Sequence, residues 1–114
     1  MKVLSIKEPW ASLIIEGKKT LELRTWSTRY RGPLLIHRSG KCGGIVGVVE
    51  LVDIVQIESS THFLSLRDKH QAPDTLYQEG LYGWILKNTK PIAFIPCKGQ
   101  LGLWEPSDEI LKQI

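Results

Sequence analysis

No aspartate or glutamate occurs between Glu22 and Glu50, an interval that holds Arg24, Arg29, Arg31, Arg38 and Lys41. Net charge over the 114 residues is only +3. Its distribution is uneven: residues 1–50 carry nine Lys/Arg against four Asp/Glu, and residues 51–114 carry six against eight. An acid-free interval of this kind sets up a local field that attracts phosphates. Trp26 and Tyr30 lie inside it, and bases stack on such rings. A solvated basic loop would be the plainer outcome, and the two aromatics tilt the reading toward nucleic acid.

Cysteine is equally scarce. Cys42 and Cys97 are the only two, far apart, with no C-x-x-C and no neighbouring histidine pair. A zinc site needs about four clustered ligands, so these thiols do not supply one. His62 and His70 stand two helical turns apart, whereas a metal pair normally sits one turn apart. No metal and no cofactor are expected, and a disulfide is not expected in a cytosolic chain.

Long apolar runs are missing too. The longest candidate, Ile45 to Ile57, is broken by Gly47, Glu50, Asp53 and Gln56, far short of the roughly 20 residues of a membrane helix. No charged leader precedes an apolar core at the N-terminus. The expectation is one cytoplasmic domain spanning residues 1–114, with no membrane partner. There is no internal repeat, linker or dinucleotide fingerprint. Ser39 to Gly44 is a glycine-rich turn, but neither its spacing nor the apolar segment after it fits a phosphate loop.

What is present begins with a strand over Lys2 to Ile6. Pro9 then suits the first turn of a helix. Trp10, Leu13 and Ile14 repeat at helical spacing, and Gly17 is placed to end the helix. The next segment, Gly17-Lys18-Lys19-Thr20-Leu21-Glu22-Leu23-Arg24, is the most informative in the chain. In an extended backbone Thr20, Glu22, Arg24 and Trp26 share one face, and Leu21 and Leu23 take the other. That pattern puts a carboxylate, a guanidinium and an indole in a row, with Lys19 at the entrance. A surface ion-pair cluster would use the same charges but would not call for the tryptophan.

Arg24 can fork onto a phosphate or carboxylate. Lys19, if desolvated beside Arg24, would have a lowered pKa and could act as a base. Glu22 either orients both cations or takes a proton itself. Trp10 and Trp84 read as core, Trp26 as a stacking platform, and Trp104 as core or cleft wall. Ser12 faces ligand or solvent, and His37 sits at a strand end.

Further strands are expected over Pro33 to Arg38, Ile45 to Ile57, Leu81 to Leu86, Ile92 to Ile95 and Gln100 to Trp104. Ser59-Ser60-Thr61 offers caps for a helix carrying Phe63, Leu64 and Leu66 and ended by Pro73. A helical turn is expected near Thr75 to Glu79, and a terminal helix opens at Ser107. Short strands, short helices and many turns imply an α+β fold built on a small barrel, with about five to seven strands and two to four short helices.

The octapeptide fits the G-x-K-x-x-E-x-R pattern of the ASCH (activating-signal-cointegrator homology) domain family. Leu4 to Ile14, with its Pro9-Trp10 pair, resembles the strand and helix before that motif in the coactivator-type members. Tyr30 to His37 resembles the strand after it, and Cys97 to Trp104 is similar to the closing G-x-L-G-L-W segment. The resemblance implies a PUA-like β-barrel and two functional classes.

One class is an RNA- or nucleotide-binding module using the motif cleft, with Lys19, Arg24, Trp26, Arg29, Tyr30, Arg31, Arg38 and Lys41 as binding residues. Ser12, His37 and Trp104 are further cleft candidates. The other class is a small hydrolase with Lys19, Glu22 and Arg24 as catalytic residues, since some similar proteins deacetylate N4-acetylcytidine or cleave RNA. Lys19 and Arg24 match the deacetylating members, but their threonine falls where this chain has Glu22. Their downstream glutamate has only Glu50 and Glu79 as candidates.

Overall fold

The computed structural model describes residues 1–114. Lys2–Ile6 forms β1, which buries Leu4 and Ile6 on one face and Val3 on the other. The chain turns into α1, Trp10–Ile15, whose buried residues are Ala11 and Ile14. Gly17 follows with φ of +78°, a conformation that favours glycine, and ends the helix as the sequence implied. β2, Leu21–Arg24, comes next, followed by β3, Gly32–Arg38, and the long β4, Gly44–Gln56.

β4 is bent by irregularities in its pairing with β5 between Ile45 and Gly47, Val48 and Glu50, and Leu51 and Asp53. Each extra residue tightens the local twist and curls the sheet. The result is a six-stranded mixed sheet in the order β2-β5-β4-β3-β1-β6, wrapped into a half-barrel. β1 runs parallel to β3, and the remaining neighbours are antiparallel. The concave side holds Leu4, Ile6, Leu34, Ile36, Leu51 and Trp84, closed over by Ala11 and Ile14 of α1.

Ser59 caps α2, Ser60–Ser65, by accepting from the His62 N–H at 3.0 Å. The expected single helix breaks at Leu66, and α3 covers only Arg67–His70. His62 and His70 therefore do not share a continuous helix. A short 3₁₀ turn follows at Asp74–Leu76. α4, Asp108–Leu111, opens at Ser107 as expected.

The two strands expected over Leu81–Leu86 and Ile92–Ile95 are one strand, β5, Tyr82–Pro96. Asn88-Thr89-Lys90-Pro91 reads as a break in sequence, but the irregular pairing with β4 absorbs it, with Asn88 at φ of +54°. β6 is shorter than expected and spans only Leu103–Trp104. No helix is long and apolar enough to cross a membrane.

Candidate nucleic-acid interface

Lys19 leaves α1 with its backbone N–H bonded to the Leu13 carbonyl. Its side chain then turns inward: only 2% of it is exposed, so it is a wall of the site and not its entrance. The ammonium donates to the His70 carbonyl at 2.6 Å and lies 3.4 Å from Glu22 Oε1. The Trp10 ring centroid is 5.2 Å away. Burial holds the Lys19 pKa below its ordinary 10.5; Glu22 pulls it back up and Arg24 adds a smaller push downward.

Glu22 sits between two cations. Its Oε2 accepts from Arg24 Nε at 3.1 Å and Nη2 at 2.8 Å, a two-pronged ion pair. Arg24 Nη2 also donates to the Ser5 carbonyl at 3.0 Å. That carbonyl is on β1, just beyond the residues paired with β6, whereas Arg24 is on β2 at the opposite end of the sheet order. The half-barrel's two ends thus meet through this side chain. The Nη1 edge of Arg24 makes no bond within the protein.

These residues line a cleft of 320 Å³ together with Trp10, Trp26 and Leu81. Trp26 is half-buried. Its ring meets Trp84 edge-on, with centroids 4.9 Å apart, and its carbonyl accepts from Trp84 Nε1 at 3.2 Å. The core thus fixes the indole while part of it remains open on the cleft. Trp10, expected in the core, packs against that core but also faces the cleft.

The basic interval does not converge on one place. Arg29 is exposed and Tyr30 is half-buried. The Tyr30 hydroxyl donates to the Pro33 carbonyl, which closes its own loop. Arg31 donates to the Thr28 and Tyr30 carbonyls and lies 3.6 Å from Asp53, so it holds the loop against β4. Arg38 donates to the Cys42 carbonyl and stands over the Phe94 ring. Lys41 lines a different pocket from the motif cleft, together with His37.

Ser12 turns its hydroxyl to Glu8, and its N–H bonds the same carboxylate at 2.8 Å; it does not line the cleft. Trp104 is buried, stands 5.8 Å from His37 between ring centroids and donates to Ser5 Oγ at 3.3 Å. Glu50 and Glu79 are exposed and line no part of the motif cleft, whose one carboxylate is Glu22.

Sequence reasoning missed His70. Its Nε2 donates to the Phe63 carbonyl and its Nδ1 accepts from the Ala72 N–H, so both nitrogens are occupied. Burial lowers its pKa. Its carbonyl anchors Lys19, a role that no side-chain pattern could announce.

The ASCH domain family model matches residues 4–96. The chain belongs to the ASCH domain family. Activating signal cointegrator 1 from Mus musculus and from Homo sapiens are each 27% identical to it over 138 aligned positions, covering 94% of this chain. The chain spans about a fifth of the length of these relatives, 22% in both cases.

In structure, this ASCH domain is similar to the ASCH protein of Zymomonas mobilis. The TM-score is 0.82 at 18% identity, covering 98% of this chain and 91% of the other. A point variant of the same protein gives 0.79 at 21% identity, covering 97% and 94%. At these identities the likeness speaks for the fold alone, which is PUA-like.

Proposed function

We propose that this ASCH domain binds RNA or a nucleotide through the cleft around Lys19, Glu22 and Arg24. The observation that carries the reading is the pairing, in one 320 Å³ cleft, of the open part of Trp26 with the free edge of Arg24. A nucleotide combines the same two needs: a flat ring to stack and an anion to neutralise. Glu22 offsets only one of the two cations, so the site keeps a positive excess whenever Lys19 is protonated. The small cleft suits one unstacked base of a short single strand and not a duplex.

Binding of a short RNA should weaken as salt rises, because phosphate contacts release counterions. Trp26→Ala should cost about 1–3 kcal/mol of affinity, the usual worth of a base stacked on an aromatic ring. An affinity independent of ionic strength, or unaffected by loss of the indole, contradicts the proposal.

A second reading is favoured by one observation: Lys19 is a buried amine with a lowered pKa, the state a general base needs. In that reading the domain hydrolyses RNA or a modified nucleoside such as N4-acetylcytidine. Glu22 stands where the deacetylating members have threonine, and no second carboxylate lines the cleft, so binding is the better-supported function. Robust turnover by the unmodified protein that disappears in Lys19→Ala would reverse the order.

A further inference from the structure

The motif cleft does not end at Arg24. A second hollow shares Trp10, Glu22 and Arg24 with it and runs past Ser5 and Gln100. It opens into a larger pocket of 870 Å³ between the 39–44 turn and the 97–101 segment. His37 forms part of that pocket's lining and is 2% exposed. β1 and β3 run side by side here, with Ser5 paired to His37. The residue that holds Arg24 through its carbonyl is therefore the strand neighbour of this histidine.

His37 Nε2 lies 2.9 Å from the Cys97 carbonyl. A carbonyl only accepts, so Nε2 carries the proton, and Nδ1 of the neutral ring is a bare acceptor. Nothing in the protein donates to it. Nδ1 is the one buried side-chain nitrogen or oxygen without a partner, and such atoms in native folds call for a water or a ligand.

Gly99 packs over the ring; a Cβ there would stand 3.0 Å from Nδ1 and 2.6 Å from Ser5 Oγ. Residues 98–102 make no backbone hydrogen bond, and a ligand reaches the acceptor only where this strap shifts. Lys41 and Lys98 also line the pocket, neither is in an ion pair, and no carboxylate faces them there.

We propose that this pocket is a second subsite of the same groove, taking the sugar and phosphate of a ribonucleotide whose base, or whose neighbour's base, lies at Trp26. A sugar hydroxyl donates to His37 Nδ1, and the phosphate sits between Lys41 and Lys98. Trp10 and Trp26 line the motif cleft, and the one aromatic ring in this pocket, Phe94, already carries the Arg38 guanidinium, so the base has its platform in the cleft and the backbone is left for this end. Inside an RNA chain the 3′ and 5′ oxygens are esterified, and the 2′-hydroxyl is the sugar's remaining donor. The subsite thus gives the groove a means of telling RNA from DNA. The inference rests on the nucleic-acid reading of the motif cleft and adds the chemical group that His37 selects.

The test tracks the His37 ring nitrogens by ¹⁵N NMR during titration with a uridylate pentamer, its deoxy counterpart, uridine monophosphate and inorganic phosphate. Uridine has no exocyclic amine to compete as donor. The Nδ1 signal should move with the RNA and the free ribonucleotide, and not with deoxy oligomer or phosphate. RNA should bind about tenfold tighter than the deoxy oligomer, one well-formed hydrogen bond's worth. His37→Phe should erase that preference, and Lys98→Ala should reduce the salt slope by about 0.7.

If His37→Phe does not fold, the Nδ1 signal of the unmodified protein still decides. RNA binding that needs Trp26 but leaves Nδ1 unmoved overturns the subsite alone. An Nδ1 response shared by deoxy oligomer or phosphate overturns the hydroxyl assignment. Failure of every RNA and nucleotide to bind removes the reading of the motif cleft, and the subsite with it.

Discussion

Replacing Glu22 with glutamine isolates the interaction on which the candidate site depends. The carboxylate is 7% exposed and touches two cations, Lys19 at 3.4 Å and Arg24 at 2.8 Å. With an effective dielectric constant of about 20, the two contacts are worth about 5 and about 6 kcal/mol before desolvation is charged against them. Breaking a buried pair by removing one partner typically costs about 3–5 kcal/mol. Glutamine can still accept from Arg24, and Lys19 can shed its proton, so the lower end applies: a loss of about 3 kcal/mol at pH 7.

For a domain of this size that loss corresponds to a fall in Tm of about 12 °C, measured by circular dichroism. The deficit must also depend on pH. Burial already holds Lys19 below 10.5, and Glu22 is what pulls it back up. In Glu22→Gln the folded-state pKa falls further while the unfolded value stays put. Between those two values the unfolded chain binds more protons, so stability rises with pH there. The variant's window is the wider one, and the gap between the two proteins should narrow as pH climbs toward the ordinary lysine value of 10.5. A deficit under about 1 kcal/mol, the worth of an exposed pair, or one that does not shrink with pH, would refute this account of the buried triad.

Arg24→Lys should keep the charge yet bind RNA almost as poorly as Arg24→Ala, because an ammonium cannot serve Glu22, Ser5 and a ligand in one plane; affinities of the two variants, measured side by side, check this. Gly44→Ala should destabilise the fold by about 1–3 kcal/mol, since its Cβ would lie 2.4 Å from the Ile95 carbonyl oxygen and 2.7 Å from the Phe94 ring; urea unfolding gives the value. Ser59→Ala should cost about 1 kcal/mol through loss of the α2 cap, with no effect on RNA affinity.

What the sequence made legible is what local chemistry controls. The β1–α1–β2 run could be read because Gly17 and the apolar spacing of Trp10, Leu13 and Ile14 act within a few residues. Glu22 and Arg24 could be grouped because strand alternation links near neighbours, and Lys19 because it stands in the turn that leads into the same strand. The fusion of two expected strands into β5 was not legible, since what carries the chain through Pro91 is the irregular pairing with β4, a partner some 40 residues away. The same applies to the anchors of the site. The carbonyls of His70 and Ser5 are backbone groups brought in by tertiary structure, and the adjacency of Ser5 and His37 exists only because β1 and β3 run parallel. The acid-free interval was visible, but its dispersal depends on Asp53 and Phe94, which the interval does not contain.

The bond from Arg24 to the Ser5 carbonyl joins the two margins of a curled sheet that otherwise has no strand pairing between them. It works as a clasp. Any ligand that draws the guanidinium toward itself pulls on the seam of the barrel, and any motion that opens the seam moves the guanidinium. Under the proposed binding, ligand contact and shell rigidity are coupled through this side chain: a ligand that leaves the Ser5 bond intact should stiffen the shell, and one that displaces it should loosen the shell. Two ligands of equal affinity could then be told apart by amide hydrogen exchange along β1 and β2 alone.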